Sequence, residues 1–490
     1  MLFNSYEFIF CFLPVTLAVF FGLSKFRMVK GATVWLLVSS LFFYGYWKIS
    51  YLPILIISVL GNYYFGEYIK SSQPGSKPAK ILIWAGICFN LGILGYYKYT
   101  GFFISSLNQI FEANFAVPNI FLPLAISFYS FTQIAYLVDA YQGETKDYKY
   151  DLISYSLFVV FFPQLIAGPI LRHDELIPQL KQLKIFVFSH RNVAMGIALF
   201  TLGLAKKVLI ADNVSPWVAA VFNNANNVTF IEAWVGALSY TFQLYFDFSG
   251  YSDMAIGLGW MFNLNLPINF NSPYKAVSII DFWRRWHITL SNFLRDYLYI
   301  PLGGSRRGEV RRYGNLLMTM LLGGLWHGAG WTYIIWGGMQ GIYLIINHGW
   351  RKLGIKLPAL FGWVITFNAV IFSWVVFRAT NLNDAMTIWQ AMLGVKGIIL
   401  VNDFKSVLPW LTGLGIKFES FRKLPYLPEN YKYSLIMLVG VFFIATITPN
   451  TQQIMKTFQP TWWWNILITG LAILCLLSLN RISEFLYFQF

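Results

Sequence analysis

Charge is what this chain has least of. Of its 490 residues only 12% are Asp, Glu, Lys or Arg, against 57% hydrophobic; a soluble protein of this size carries about 25% charged residues. That excludes an ordinary soluble enzyme and leaves a membrane protein. Cysteine is scarce too. Cys11, Cys88 and Cys475 lie far apart in apolar segments, with neither zinc spacing nor a disulfide framework, and read as packing residues. The standard catalytic signatures are missing: no G-x-S-x-G elbow, no H-E-x-x-H, no Walker A loop and no dinucleotide-binding glycine pattern. No internal repeat stands out, which weighs against a transporter built from two halves of matching hydropathy. A net charge of +15 invites a nucleic-acid partner. The basic residues sit in short loops between apolar windows, however, where they set topology and touch anionic lipid.

What the chain does have is apolar windows. A span needs roughly 20 residues, and about ten to twelve windows qualify: 6–24, 31–48, 51–69, 79–97, 118–140, 152–171, 315–346, 358–377, 433–449 and 461–479, with 193–222 and 229–262 interrupted. The expected fold is an all-α polytopic membrane protein of about 11–13 membrane-embedded helices around a central cavity. It forms one integral domain over 1–490, with lipid-facing helices in 1–115, a catalytic core in 118–350 and further helices in 351–490. The first window lacks a basic leader and a cleavage site, so it is expected to stay as a span. Lys25, Arg27 and Lys30 follow it and nothing basic precedes it, which puts the N-terminus outside and the first loop in the cytoplasm. Lys70, Lys77 and Lys80, after the third span, agree.

Polarity is concentrated in residues 120–350, which hold all five histidines: His173, His190, His287, His327 and His348. The interrupted stretches "FFPQLIAGPI" (161–170) and "NFNSPY" (269–274) lie there as well. Broken helices at membrane depth are tolerated where the backbone is buried in protein or lines a wet cavity. Asp247 and Asp253, within 240–264, either line a substrate path or form a buried network, paired with an arginine. In 281–304, Phe282, Trp286, Phe293 and Tyr297 recur near helical spacing, opposite Arg284, Arg285, Asn292, Arg295 and Asp296. This predicts an amphipathic helix in or dipping from the interface. The cluster Arg306, Arg307, Arg311 and Arg312 either anchors a cytoplasmic loop or grips the phosphates of a nucleotide-like acyl donor.

The residue most out of place is His327 in "LLGGLWHGAGW" (321–331), because Leu316 to Ile346 contains no charged residue. It is either a satisfied packing residue or a base, since histidine titrates near neutrality and can take a proton from a hydroxyl. Gly323, Gly324, Gly328 and Gly330 would let a helix or substrate approach it, and Trp326 and Trp331 would wall a cavity. His287 is the second candidate. His348, beside Arg351, reads as an ordinary interfacial residue.

"WRRWHITLSNFLRDYLYIPLGG" followed by "LLGGLWHGAGWTYIIWGG" resembles the membrane-bound O-acyltransferase (MBOAT) superfamily, in its bacterial branch that includes alginate O-acetylation. "MLFNSYEFIFCFLPVTL", "FFPQLIAGPILR", "YFDFSGYSDMAIG" and the terminal "EFLYFQF" (484–490) extend the resemblance along most of the chain. The resemblance implies an acyltransferase of the bacterial inner membrane with catalytic His327 assisted by His287. It implies no permanent cofactor, with acetyl-CoA or another acyl thioester as the donor. The acetyl group would pass across the membrane to a periplasmic SGNH-type partner and on to a polysaccharide, an alginate-like exopolysaccharide first among acceptors that include cellulose and peptidoglycan. The nearer alternative is D-alanyl transfer to teichoic acids. The alternative of another class is a polysaccharide exporter with a histidine proton relay.

Overall fold

The structure is a computed structural model that describes residues 1–145 and 150–479; the terminal "EFLYFQF" lies outside the described residues. The chain is helical, as expected, with one small exception. Ile399–Val401 pairs in parallel with Lys417–Glu419, in the long connection late in the chain. Five helices among the described residues are long and apolar enough to cross a membrane: Phe8–Lys25, Ile49–Ser71, Lys77–Phe111, His190–Phe222 and Ala359–Arg378. Tyr431–Thr446 and Thr451–Thr457 pass the same test only together, as a broken span or a re-entrant loop, bent by 61° where Pro449 cannot continue the helix.

Other apolar windows are not continuous spans. Window 118–140 is irregular until the helix Ile126–Gln142 begins. Window 152–171 gives only Leu152–Val160 and the short Phe162–Leu165, stopped by Pro163 and the Gly168–Pro169 pair. Window 315–346 is two helices, Glu309–His327 and Trp331–Lys352, parted at residues 328–330. Cys475 is buried, but Cys11 and Cys88 are exposed on outer helices, so those two are not packing residues.

The central pillar is the helix Phe230–Met261. It starts at a capping box in which Thr229 and Glu232 satisfy each other's backbone donors, and it is buried almost throughout. The helix His190–Ala205 lies directly against it. A Cβ built on Gly203 would sit 2.5 Å from the carbonyl oxygen of Gly250, so only glycine allows this approach. The contact brings the next turn's lysines onto the pillar's carboxylates. Lys206 Nζ lies 2.6 Å from Asp253 Oδ2, while Lys207 bridges Asp212, at 2.9 Å, and Asp247. The buried network is therefore real, but its cations are lysines rather than an arginine. A compact ammonium on a slim stem fits between helices in backbone contact, where a planar guanidinium needs more room.

Candidate active site

The segment 281–300 does not form one helix. Ile279–Trp283 and Ile288–Leu294 are separate helices, followed by a π-helical turn over Arg295–Tyr299. The break falls at His287, whose φ of +42° is an uncommon conformation for a residue with a side chain. Its cause is the neighbouring "NFNSPY" loop. Ile288 N–H donates to Asn269 O and Asn271 N–H donates to Arg285 O, each at 2.9 Å, and this pairing of two irregular backbones replaces the helical bonds. The expected sidedness is present: Arg284 and Arg295 are exposed, Phe282 and Phe293 buried. The break turns His287 inward instead of leaving it at the boundary.

His287 is fully buried. Its Nδ1 lies 3.0 Å from Asn269 Oδ1, an atom that also accepts from Thr289 N–H at 3.3 Å and Thr289 Oγ1–H at 3.0 Å. The edge-on ring of Phe248 holds the imidazole with centroids 4.7 Å apart. Its Nε2 has no hydrogen-bond partner among the described residues. His327 is the last residue of its helix, half-buried and boxed by Trp336 at 5.2 Å and Phe377 at 5.4 Å between centroids. The two imidazoles lie edge to face, with centroids 6.5 Å apart and planes at 62°.

A residue that sequence reasoning missed completes the cluster. Lys98 Nζ donates to Ser127 Oγ at 3.1 Å, to His327 O at 3.2 Å and to Trp326 O, and so caps the helix that ends in His327 with a positive charge. The signal was a lone cation at the end of an apolar window, one residue beyond where the window 79–97 was closed.

Two cavities flank the histidines. One, of about 170 Å³, is lined by His327, Lys98 and Ser127, with Trp47 at its rim. The other, of about 240 Å³, is lined by Ile288 and Thr289, next to His287, together with Arg172 and Arg295. Ile126 belongs to the first and Ala135 to the second. Both lie on the helix Ile126–Gln142, whose rise of about 1.5 Å per residue sets these two lining residues apart along its axis.

The remaining histidines lie elsewhere. His173 is held by Tyr150 Oη at 2.7 Å and by Asp139 at 3.1 Å. Asp139, Glu144 and His173 have ligand atoms within 4.8 Å of one another, but the Arg172 guanidinium occupies this group, 3.0 Å from Glu144 and 3.5 Å from Asp139. His190 is exposed at a helix start. Arg312 donates to His348 at 2.7 Å, while Arg306, Arg307 and Arg311 are exposed and line neither cavity beside the histidines.

A mostly helical protein with several helices long and apolar enough to cross a membrane thus brings two imidazoles together, with a cavity beside each. The family model of MBOAT, the membrane-bound O-acyltransferase family, matches residues 142–388. The chain belongs to this family and is a membrane-embedded acyltransferase. Among similar proteins is the peptidoglycan O-acetyltransferase of Helicobacter pylori, 41% identical across 100% of this chain and 98% of its own length. The probable alginate O-acetylase AlgI of Pseudomonas aeruginosa is 44% identical over 80% of this chain and 75% of its own. More distant is the teichoic acid D-alanyltransferase of Streptococcus thermophilus, 28% identical over 53% of this chain and 69% of its own.

Proposed function

We propose that this chain takes an acetyl group from a cytoplasmic acyl thioester and passes it through the bacterial inner membrane for O-acetylation of a cell-envelope polysaccharide, with the N-terminus extracytoplasmic. The observation that carries this reading is the close pair His287 and His327, whose ring centroids are 6.5 Å apart, with a cavity beside each. His327 acts as general base. It takes the proton from the accepting hydroxyl as the new C–O bond forms; the thioester C–S bond breaks and the thiol leaves with a proton. His287 orients and assists. A water-poor site also limits hydrolysis of the thioester. No bound cofactor is needed for these steps, and acetyl-CoA or another acyl thioester is consumed as substrate. A periplasmic SGNH-type protein is the proposed receiver of the acetyl group.

The sequence reading put an alginate-like exopolysaccharide first as acceptor. Similarity over the whole length of a protein named for peptidoglycan favours peptidoglycan, whereas the alginate-named relative matches over less of the chain. D-Alanyl transfer is disfavoured by the shorter and weaker match to its namesake. The test is the acetyl ester content of the envelope polymers in cells expressing variants at matched abundance. A positioned general base contributes roughly 10²–10⁴-fold, so His327→Ala should leave background acetylation, His287→Ala should lose less, and His348→Ala should be nearly silent. Half or more of normal acetylation in the His327→Ala cells returns that residue to a packing role.

A further inference from the structure

A third cavity, of about 520 Å³, lies beside the loop that follows His327, with Ala329 and Gly330 on its wall. The transfer step as described makes no use of it. Much of its wall is built of hydrogen-bonding side chains, among them Ser105, Ser106, Gln109, Thr332 and Thr380. Phe102 and Trp331 form an aromatic corner, with centroids 5.6 Å apart and planes at 63°, and Trp331 is 48% exposed. The one charged group on the wall is Arg378, which ends the helix Ala359–Arg378.

Among the described residues Arg378 is a cation without a counter-charge. Its guanidinium lies over the Phe222 ring, 5.6 Å from the centroid. Its buried Nε has no hydrogen-bond partner, and it enters no ion pair among the described residues. The Asp384 carboxylate on the next helix is already taken, accepting from Thr380 at 2.6 Å and Asn381 at 2.8 Å. An isolated cation beside a membrane core is costly unless something pairs with it.

Hydroxyl and amide groups facing a flat aromatic surface suit a sugar ring. The ring's polar edge meets donors and acceptors, and its C–H face lies on indole. A guanidinium pairs most specifically with a carboxylate, through two parallel hydrogen bonds. We propose that this cavity binds one sugar unit of the acceptor polymer and that Arg378 selects a unit bearing a carboxylate. The carboxylate can come from a uronic acid ring or from an acidic ether substituent on an amino sugar. Naming the ligand an acceptor rests on the transfer reading above; binding requires no turnover.

The experiment is calorimetry on the full chain, purified in detergent, with four probes. These are an oligouronide, its carboxyl-reduced counterpart, a muramic-acid-containing disaccharide and its methyl ester. At least one acidic probe should bind tenfold or more tightly than its neutral partner, and which one does so identifies the source of the carboxylate. Arg378→Gln should remove that difference, Arg378→Lys should restore part of it, and Trp331→Ala should weaken acidic and neutral probes alike. Failure of both acidic probes to bind, equal binding of acid and neutral forms, or an undiminished difference in Arg378→Gln overturns the proposal. If Arg378→Gln does not fold, the comparison of acid with ester on the unaltered chain still decides it. A chain that binds the acidic probe selectively yet transfers no acyl group upholds the site and refutes the transfer reading.

Discussion

Asn269 fixes the tautomer of His287. The Thr289 N–H can only donate, and it points at Asn269 from 3.3 Å, so the amide must present Oδ1 there. The same oxygen lies 3.0 Å from His287 Nδ1, which must therefore carry a proton and donate it. In the neutral ring the lone pair is then on Nε2, the buried atom without a hydrogen-bond partner among the described residues. Asn269→Leu keeps the branching, with somewhat more bulk, but removes the acceptor, and on the proposed role of His287 misaiming it costs about 10²-fold. The expected result is a fall of that order in kcat with KM little changed, while Asn269→Asp, which still accepts, retains more activity. Equal loss in both variants, tracking protein abundance, would reduce Asn269 to a folding role.

The Lys98 cap makes a separate prediction. A cation on the last carbonyls of a helix in a partly buried setting is worth up to about 2 kcal/mol, and here those carbonyls belong to Trp326 and His327. Lys98→Met should lower the acetylation rate per molecule by roughly 5–30-fold, the factor that 1–2 kcal/mol represents. Lys98→Arg should recover part of it. Unchanged activity in Lys98→Met would show that the His327 helix holds its end without the charge.

The pillar network predicts stability. Lys207, Asp212 and Asp247 are buried together, each side chain at most 6% exposed. Lys207→Met leaves two carboxylates facing one another without their cation. Breaking such a buried pair costs about 3–5 kcal/mol, so the variant should melt well below the unaltered chain in the same detergent. A melting point within a degree or two would mean that water reaches these groups.

The parts of this site differed in how legible they were. His327 was legible as a candidate because a titratable group stands out in a charge-free run, although packing remained an alternative to chemistry. The split of 281–300 was not, since the spacing of Phe282, Trp286, Phe293 and Tyr297 continues helically across it. The reversal at His287 is imposed by a loop some twenty residues earlier, which leaves no local signature. Asn269 lies in "NFNSPY", where sequence reading saw only a helix interruption. Arg378, one residue past the window 358–377, was not singled out, and its lack of an ion-pair partner among the described residues is a property of the packed molecule alone.

Orientation can be tested by labelling. In a background with Cys11, Cys88 and Cys475 replaced, necessary because Cys11 and Cys88 are exposed, single cysteines at Ser5 and Ser24 lie just before the first span and in its last turn. An impermeant maleimide added outside intact cells should react at position 5 and not at 24, as the basic residues after that span require. The reverse pattern would invert the whole assignment of donor and acceptor faces.

The crossing of the two helices around His327 gives the last prediction. A Cβ on Gly337 would sit 2.2 Å from Met320 O and 3.1 Å from Gly324 Cα. Both neighbours are backbone, so nothing can swing aside, and one helix must move. Because Glu309–His327 carries the proposed base at its end, that movement displaces the imidazole relative to His287. A displacement of 1 Å costs about 10²-fold, and Gly337→Ala should therefore lose most acetylation while still inserting into the membrane. The control is Gly349, on the same helix, where an added Cβ meets nothing within 4 Å. Alanine there removes the roughly 1 kcal/mol helix penalty of glycine, so Gly349→Ala should be fully active. If Gly337→Ala matches Gly349→Ala in acetyl ester content at equal abundance, helix spacing at this crossing does not aim His327.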